Sequence, residues 1–240
     1  MSRSIEALVN EQVRRWELMQ QKPRGVEIRP VITVTGQHGA QGDELGRQLA
    51  SELGFDYFDR EIIHRIAESA HLTDRVVASI DGKKRELLTD WLAAFASRNY
   101  LSLAEYRYHL ARVVGAIAHQ GGAVILGRGA HLLLQGQALR VLAVAPLEDR
   151  VRTVMEHEGL SERDARRRIV EVESNRHAFI LMHYHTEFAD PTAFDVIANT
   201  AALGLDGASA TIRAALEAWR SRPGRHRDTR EGQVKRPKRS

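Results

Sequence analysis

The stretch VITVTGQHGAQGDELGRQLASELG, residues 31–54, decides how the chain folds. Val31–Thr35 is a short β-branched run with no polar alternation, which predicts a strand buried on both faces. Gly36, Gly39 and Gly42 follow within seven residues, and a helix then opens at Asp43-Glu44 with Leu45, Leu49 and Leu53 on one face. Gly54 supplies its C-terminal cap. A strand, a glycine-bearing loop and a helix N-terminus in that order place backbone N–H groups around an anion at the carboxyl end of a sheet. Gly36, Gly39, Ala40, Gln41, Gly42 and Asp43 are therefore the candidate phosphate-binding residues.

The pattern G-x-x-x-x-G-K-[ST] is incomplete here. Counted from Gly36, Gln41 stands at the second glycine, Gly42 at the lysine and Asp43 at the hydroxyl. Asp43 and Glu44 put two carboxylates in the first turn, where each stabilises a helix by about 0.3–1 kcal/mol. A carboxylate at this place can also hold Mg²⁺. From these residues alone both readings stay open.

Working outward, Phe55–Asp59 reads as a short strand and Arg60–His71 as a helix. Residues 73–120 are mostly helical, with Thr73 as a cap and Gly82 as a joint. Ala123–Leu126 and Leu139–Ala145 are apolar strands, the second stopped by Pro146. Leu147–Glu158 reads as a helix closed by Gly159. Ser161 and Asp164 form a capping box opening a long helix to about His183. Phe194–Ala198 is a last strand, and a closing helix runs from about Ala208 to Trp219. Strands that are apolar runs, alternating with helices, predict an α/β fold: a parallel sheet of about five strands with helices on both faces and Val31–Thr35 central.

The 240 residues are 43% hydrophobic and 28% charged, enough apolar content to build a core. The chain holds no cysteine, which excludes disulfides, thiol catalysis and Cys-based metal sites. Residues 1–20 carry charges throughout and no long apolar run, so neither a signal peptide nor a membrane span is expected, and a cytoplasmic location is. His177, His183 and His185 match no metal-binding spacing. Ile5, Leu8, Val9, Val13 and Trp16 recur at helical spacing, and Pro23, Gly25 and Pro30 then interrupt. Residues 1–30 thus read as a helical extension that packs on the domain or on a second copy, giving a homodimer. Residues 221–240 hold eight basic residues against two acids, which leaves −2 for residues 1–220 out of the total of +4. This tail, without interleaved aromatics, is read as a disordered solubilising end ahead of a nucleic-acid contact.

The opening run to Ala67, together with VILGRGA (124–130), LRVLAVAPLEDRVRTVMEHEGLSERDARRRI (139–169), ESNRHAF (173–179) and FDVIANTAALGLDGA (194–208), resembles the cytidylate kinase-like family in order over residues 31–215. That resemblance implies a P-loop NTPase-type domain over residues 31–220, with a helical acceptor-binding insertion at 60–120 and a lid at 147–185. It implies phosphoryl transfer from ATP, with Mg²⁺, to a nucleoside monophosphate such as CMP or dCMP. By the same resemblance Arg128 faces the acceptor nucleotide and Asp59 lies near it, though Asp59 also reads as a helix N-cap. Arg176, with Arg150, would replace the charge of the missing lysine, and Glu44 would place the metal. The family generally lacks that lysine, while Gln41 is this chain's own departure. A catalytically impaired nucleotide-binding or regulatory relative is the alternative reading.

Overall fold

The computed structural model describes residues 7, 10–14, 29–80, 82–95 and 105–222, apart from the side chains of residues 82, 83, 94, 95 and 105. Most of the N-terminal extension and all but the first two residues of the basic tail lie outside the described residues.

Five strands form one parallel sheet in the order β2-β3-β1-β4-β5. They are β1 (Val31–Gly36), β2 (Asp56–Phe58), β3 (Ala123–Leu126), β4 (Leu139–Val144) and β5 (Val196–Asn199). Val31 is opposite Ala123 on one side of β1, and Ile32 opposite Leu139 on the other. The central place of Val31–Thr35 and the parallel pairing of the four apolar runs are as expected. Chain connections after β1 and β3 leave the sheet in opposite directions, so a crevice opens between their carboxyl ends.

The alternation of side chains along β1 feeds two cores. Ile32 and Val34, with Val124 and Val141, face α1 (Gly42–Leu53) and α9 (Thr200–Arg220) through Leu45, Leu49, Ile212 and Leu216. Val31, Ala123 and Ile125 face the opposite way. There they meet α2 (Arg60–Ala67) and α5 (Glu105–Gln120), whose Ile63, Ile66 and Ile117 are almost fully enclosed. Each such aliphatic side chain contributes about 1.5–3 kcal/mol by leaving water. This second core extends into α3 (Ala70–Ala78), α4 (Gly82–Phe95) and α6 (Ala130–Leu133). Val13, in the helical residues 10–14, is buried in it, and Gln12 Nε2 donates to the Asp56 carboxylate at 2.7 Å. This part of the extension packs on its own domain.

The two remaining helices, α7 (Leu147–Glu158) and α8 (Glu162–Tyr184), form a hairpin with its own small core of Val151, Val154, Ala165 and Ile169. Gly159 closes α7 at φ 66° and Ser161 opens α8, its Oγ accepting from the Asp164 amide at 3.2 Å. The far end of α8 sinks Ile180 and Tyr184 into the second core. The hairpin is thereby anchored to the helical insertion and arches over the crevice.

Several boundaries differ from expectation. The helix read at Arg60–His71 ends at Ala67, and α3 starts after Ser69, whose Oγ caps it by accepting from the Leu72 amide. Thr73 is no cap. It is buried inside α3 and its hydroxyl donates to the Ile66 carbonyl at 3.0 Å. The last strand begins at Val196 rather than Phe194. Asp195 is held instead by Arg140, whose backbone N, Nε and Nη2 all donate to its carboxylate at 3.0–3.1 Å. Leu139–Ala145 narrows to β4, and the closing helix starts at Thr200, with a break at Gly204 (φ 64°, ψ 173°).

Candidate phosphate-binding cleft

A cleft of about 510 Å³ opens at the carboxyl ends of β1 and β3, beneath the α7–α8 hairpin. Its floor is the loop after β1. Gly36 and Gly42 bring their backbones together at the start and end of this loop, so that a Cβ on Gly42 would lie 3.5 Å from the Gly36 Cα. Gly39, at φ 83°, lies so close to α7 that a Cβ would come 2.5 Å from the Arg150 carbonyl oxygen. No side chain fits there. Gln37 fastens the loop to β4: its amide donates to the Ala143 carbonyl at 3.0 Å and its side-chain oxygen accepts from the Ala145 amide at 3.2 Å. The Thr200 hydroxyl holds the Ala40 carbonyl at 3.0 Å.

Gln41 takes the left-handed conformation (φ 52°, ψ 34°) as the N-cap of α1 and makes no side-chain capping bond. The first-turn amides of α1, from Gly42 onward, have no intrahelical partners, and they open on the cleft with the positive end of the helix dipole. Gly36, Gly39, Gln41, Gly42 and Asp43 all line the cleft, whereas Ala40 is buried beneath it.

Arg128 and Arg176 also line it. Arg128 occupies the middle of three successive left-handed residues, Gly127 (φ 69°), Arg128 (φ 53°) and Gly129 (φ 69°). Its Nε donates to the Arg60 carbonyl at 3.2 Å, its guanidinium lies 5.3 Å from the centre of the Phe179 ring, and its own carbonyl accepts from the Tyr184 hydroxyl at 2.8 Å. Arg176 reaches down from α8 to donate through Nη1 to the Gly36 carbonyl at 2.6 Å. Burial, then the charge of Arg60, lower its pKa to about 10, so it remains a cation at neutral pH. Among the described residues neither arginine has a carboxylate within ion-pair distance.

Arg150 and Asp59 are not brought to the cleft. Arg150 lies behind the loop, buried, bound to Glu173 at 2.6 Å, with a longer contact to the His38 carbonyl at 3.4 Å. Its charge is spent on tying α7 to α8. Asp59 is the N-cap of α2 and accepts from the amides of Glu61 and Ile62 at 2.9 and 2.8 Å. Glu44 does line the cleft, with His157 at 3.6 Å. Among the described residues no group of three or more His, Asp or Glu side chains is gathered for a metal.

Sequence reasoning missed Arg60, His38 and His131. Arg60 lines the cleft and binds Asp43 at 3.0 Å. Its place directly after the cap Asp59, at a strand end, was a readable signal. His38, in the loop, lies 3.3 Å from Glu158. Burial, followed by the charge of Arg176, lowers its pKa. His131 is buried with Nδ1 3.2 Å from the Thr35 hydroxyl and its ring stacked on Phe194 at 4.7 Å. Only the packing of α6 against β1 brings it there.

Burial pulls His131 down to about 4 from the ordinary 6.5. The unfolded chain therefore binds a proton more readily than the folded one between these values. Stability is full above pH 6.5 and falls as the pH drops towards 4. By pH 5 the loss from this group is about 2 kcal/mol. Denaturant titrations at pH 7 and pH 5 should show that loss, and His131→Gln should remove most of it. An equal loss in the variant would assign it to other groups.

A central β1, a glycine loop wrapped over a helix N-terminus and a helical hairpin carrying an arginine above it define a P-loop kinase-type α/β protein. Residues 31–202 match the cytidylate kinase-like family, and the chain belongs to it. The chain is 31% identical over 191 residues to a cytidylate kinase of Thermococcus sibiricus and 29% identical over 189 residues to one of Thermococcus kodakarensis. Each match covers 78% of this chain and 88% of the relative. Among solved structures it is similar in fold to an uncharacterised protein from Eubacterium ventriosum, with a TM-score of 0.55, 15% identity and coverage of 81% of this chain and all of the other. No helix among the described residues is long and apolar enough to cross a membrane.

Proposed function

We propose that the protein transfers the γ-phosphoryl group of ATP to the phosphate of a nucleoside monophosphate, with CMP or dCMP the acceptor suggested by its cytidylate kinase relatives. The observation that carries this is the pair of arginines, Arg128 and Arg176, held in one cleft with no carboxylate partner among the described residues. Two unneutralised guanidiniums facing a helix N-terminus are costly unless an anion completes them. Phosphoryl transfer needs little beyond positioning and neutralising of charge. The amides of Gly39 and of Gln41–Asp43 hold the donor phosphates. Arg128 holds the acceptor phosphate, its ring contact with Phe179 fixing the fork. Arg176 lies over the loop where the transferred group passes. An acceptor phosphate oxygen forms the new bond to the γ-phosphorus as the bond to the β–γ bridging oxygen breaks, giving two diphosphates.

Two first-turn carboxylates suit a magnesium ion that keeps most of its ligands from phosphate and water. Glu44 would hold it, and the ion would supply charge neutralisation between the donor phosphates.

Gly42 and Asp43, in place of lysine and a hydroxyl, favour a second reading: a relative that binds nucleotides without turning them over. Thermal stabilisation by a panel of nucleotides, followed by a coupled phosphotransfer assay, separates the two. Turnover of CMP or dCMP supports the first reading, stabilisation without turnover selects the second, and no stabilisation by any nucleotide rejects both. Arg128→Ala should weaken monophosphate binding by about ten- to a hundredfold, as expected for a lost charge-assisted contact. If only the melting temperature falls and affinity holds, Arg128 is structural.

A further inference from the structure

The loop lacks a lysine, yet a third guanidinium reaches it from across the cleft. Arg60 opens α2, on the insertion side of the crevice, and its Nη2 lies 3.0 Å from Oδ1 of Asp43 in the first turn of α1. Both side chains are partly open to the cleft, 42% and 32% exposed. Arg60 is fixed at its backbone as well, because its carbonyl receives Arg128 Nε. Arg176 reaches the same loop from the hairpin above. Its charge is opposed by Arg60 and favoured by Asp43 and Glu173, so Arg60 and Arg176 lie within each other's field, and Asp43, paired with Arg60, acts on both.

We infer that Arg60 is the cation that serves the donor phosphates in place of the loop lysine, and that Asp43 stands in for a phosphate, holding Arg60 over the loop until one arrives. This rests on the proposed phosphate cleft but not on any nucleoside. The geometry supports an exchange of partners. A carboxylate and a phosphate offer the same paired oxygens to a guanidinium fork. An exposed ion pair is weak enough to give way to a multiply charged ligand. A phosphate group arriving at the first-turn amides meets Arg60 already aimed there, and Asp43 is, among the described residues, the one negative charge it must displace from that fork. The pair thus sets both the affinity for free polyphosphate and how far a bound cation must offset Asp43.

The test uses the full chain and inorganic tripolyphosphate in EDTA, which has no base or sugar to recognise, with binding measured by calorimetry at fixed salt. Wild type should bind it. Asp43→Asn, which keeps the shape and removes the charge, should bind it at least about threefold tighter. Arg60→Ala should bind about tenfold or more weakly, and Arg60→Lys should fall between Arg60→Ala and wild type. Melting temperatures should stay within about 2 °C, since neither side chain is packed in a core. Unchanged affinity in Arg60→Ala, weaker binding by Asp43→Asn, or no binding by wild type would each overturn the inference. Should tripolyphosphate behave as expected while no nucleotide stabilises the protein, the proposed kinase reading fails and the role of Arg60 stands.

Discussion

Arg176→Ala is expected to lower phosphotransfer turnover by about a hundredfold while changing monophosphate affinity only a few-fold. The expectation follows from where the side chain lies. Arg176 descends from α8 onto the Gly36 carbonyl, at the end of the central strand and above the loop that takes the donor phosphates. It is half-buried, so its charge acts through a medium less polarisable than water, and desolvation has already lowered its pKa to about 10. A half-buried cation with no carboxylate partner among the described residues gains most when negative charge develops beside it. That is the condition under which a fixed donor favours the transition state over the ground state. Loss of one such preorganised donor costs about 10²–10³ in rate. Arg176→Lys should recover part of it, because a point charge remains but the planar fork does not. Steady-state kinetics with CMP and ATP, alongside melting curves, provide the check. A rise in KM with unchanged kcat would make Arg176 a binding residue, and a fall in stability alone would make it structural.

The second large effect is on the fold. Gly129→Ala should destabilise the protein by about 3 kcal/mol, a drop in melting temperature of about 6–12 °C. A Cβ at Gly129 would stand 2.3 Å from Cε2 and 2.5 Å from Cζ of the Tyr184 ring. That ring cannot swing aside, since Tyr184 is enclosed in the core and its hydroxyl donates to the Arg128 carbonyl at 2.8 Å. The backbone at φ 69° adds the usual cost of a side chain in the left-handed region, about 1–2 kcal/mol. Gly136→Ala is the matched control. Its φ of 76° is similar, but nothing lies within 4 Å of the added Cβ, so it should show the backbone cost alone. Equal losses in the two variants would mean that the Tyr184 contact is relieved without cost. The same contact ties the loop bearing Arg128 to the end of α8, so Gly129→Ala should also weaken whatever Arg128 binds.

The fold was legible wherever local pattern and tertiary role coincide. The β-branched run at Val31–Thr35 could only be a buried strand, and Gly54, Gly159 and Ser161 end or open helices for reasons confined to a few residues. The glycine loop was legible for the same reason, since φ 83° at Gly39 and the close approach of Gly36 and Gly42 are demands of backbone geometry that only glycine meets without strain. Belonging to the cytidylate kinase-like family was legible too, because several short motifs keep their order along the chain. Boundaries set by distant partners were not. Asp195 leaves the strand pattern because Arg140, 55 residues away, claims its carboxylate. Thr73 has the composition of a cap, but its hydroxyl is taken by Ile66 across a bend between two helices.

Among the arginines the sequence by itself could name candidates but not sort them. Arg150 and Arg176 both belong to the hairpin, yet Glu173 neutralises the first behind the loop while the second is left facing it. Asp59 and Arg60 are neighbours in the chain, yet one is consumed by capping α2 and the other reaches Asp43. Charge and residue type are written in the sequence, and so are the glycines that shape the cradle. For the arginines, which charges are neutralised and which remain for a ligand depends on partners 17 to 140 residues away. Those distances close only when the helices pack on the sheet, because the energy of an ion pair depends on separation and burial, and neither is a property of the chain in extension.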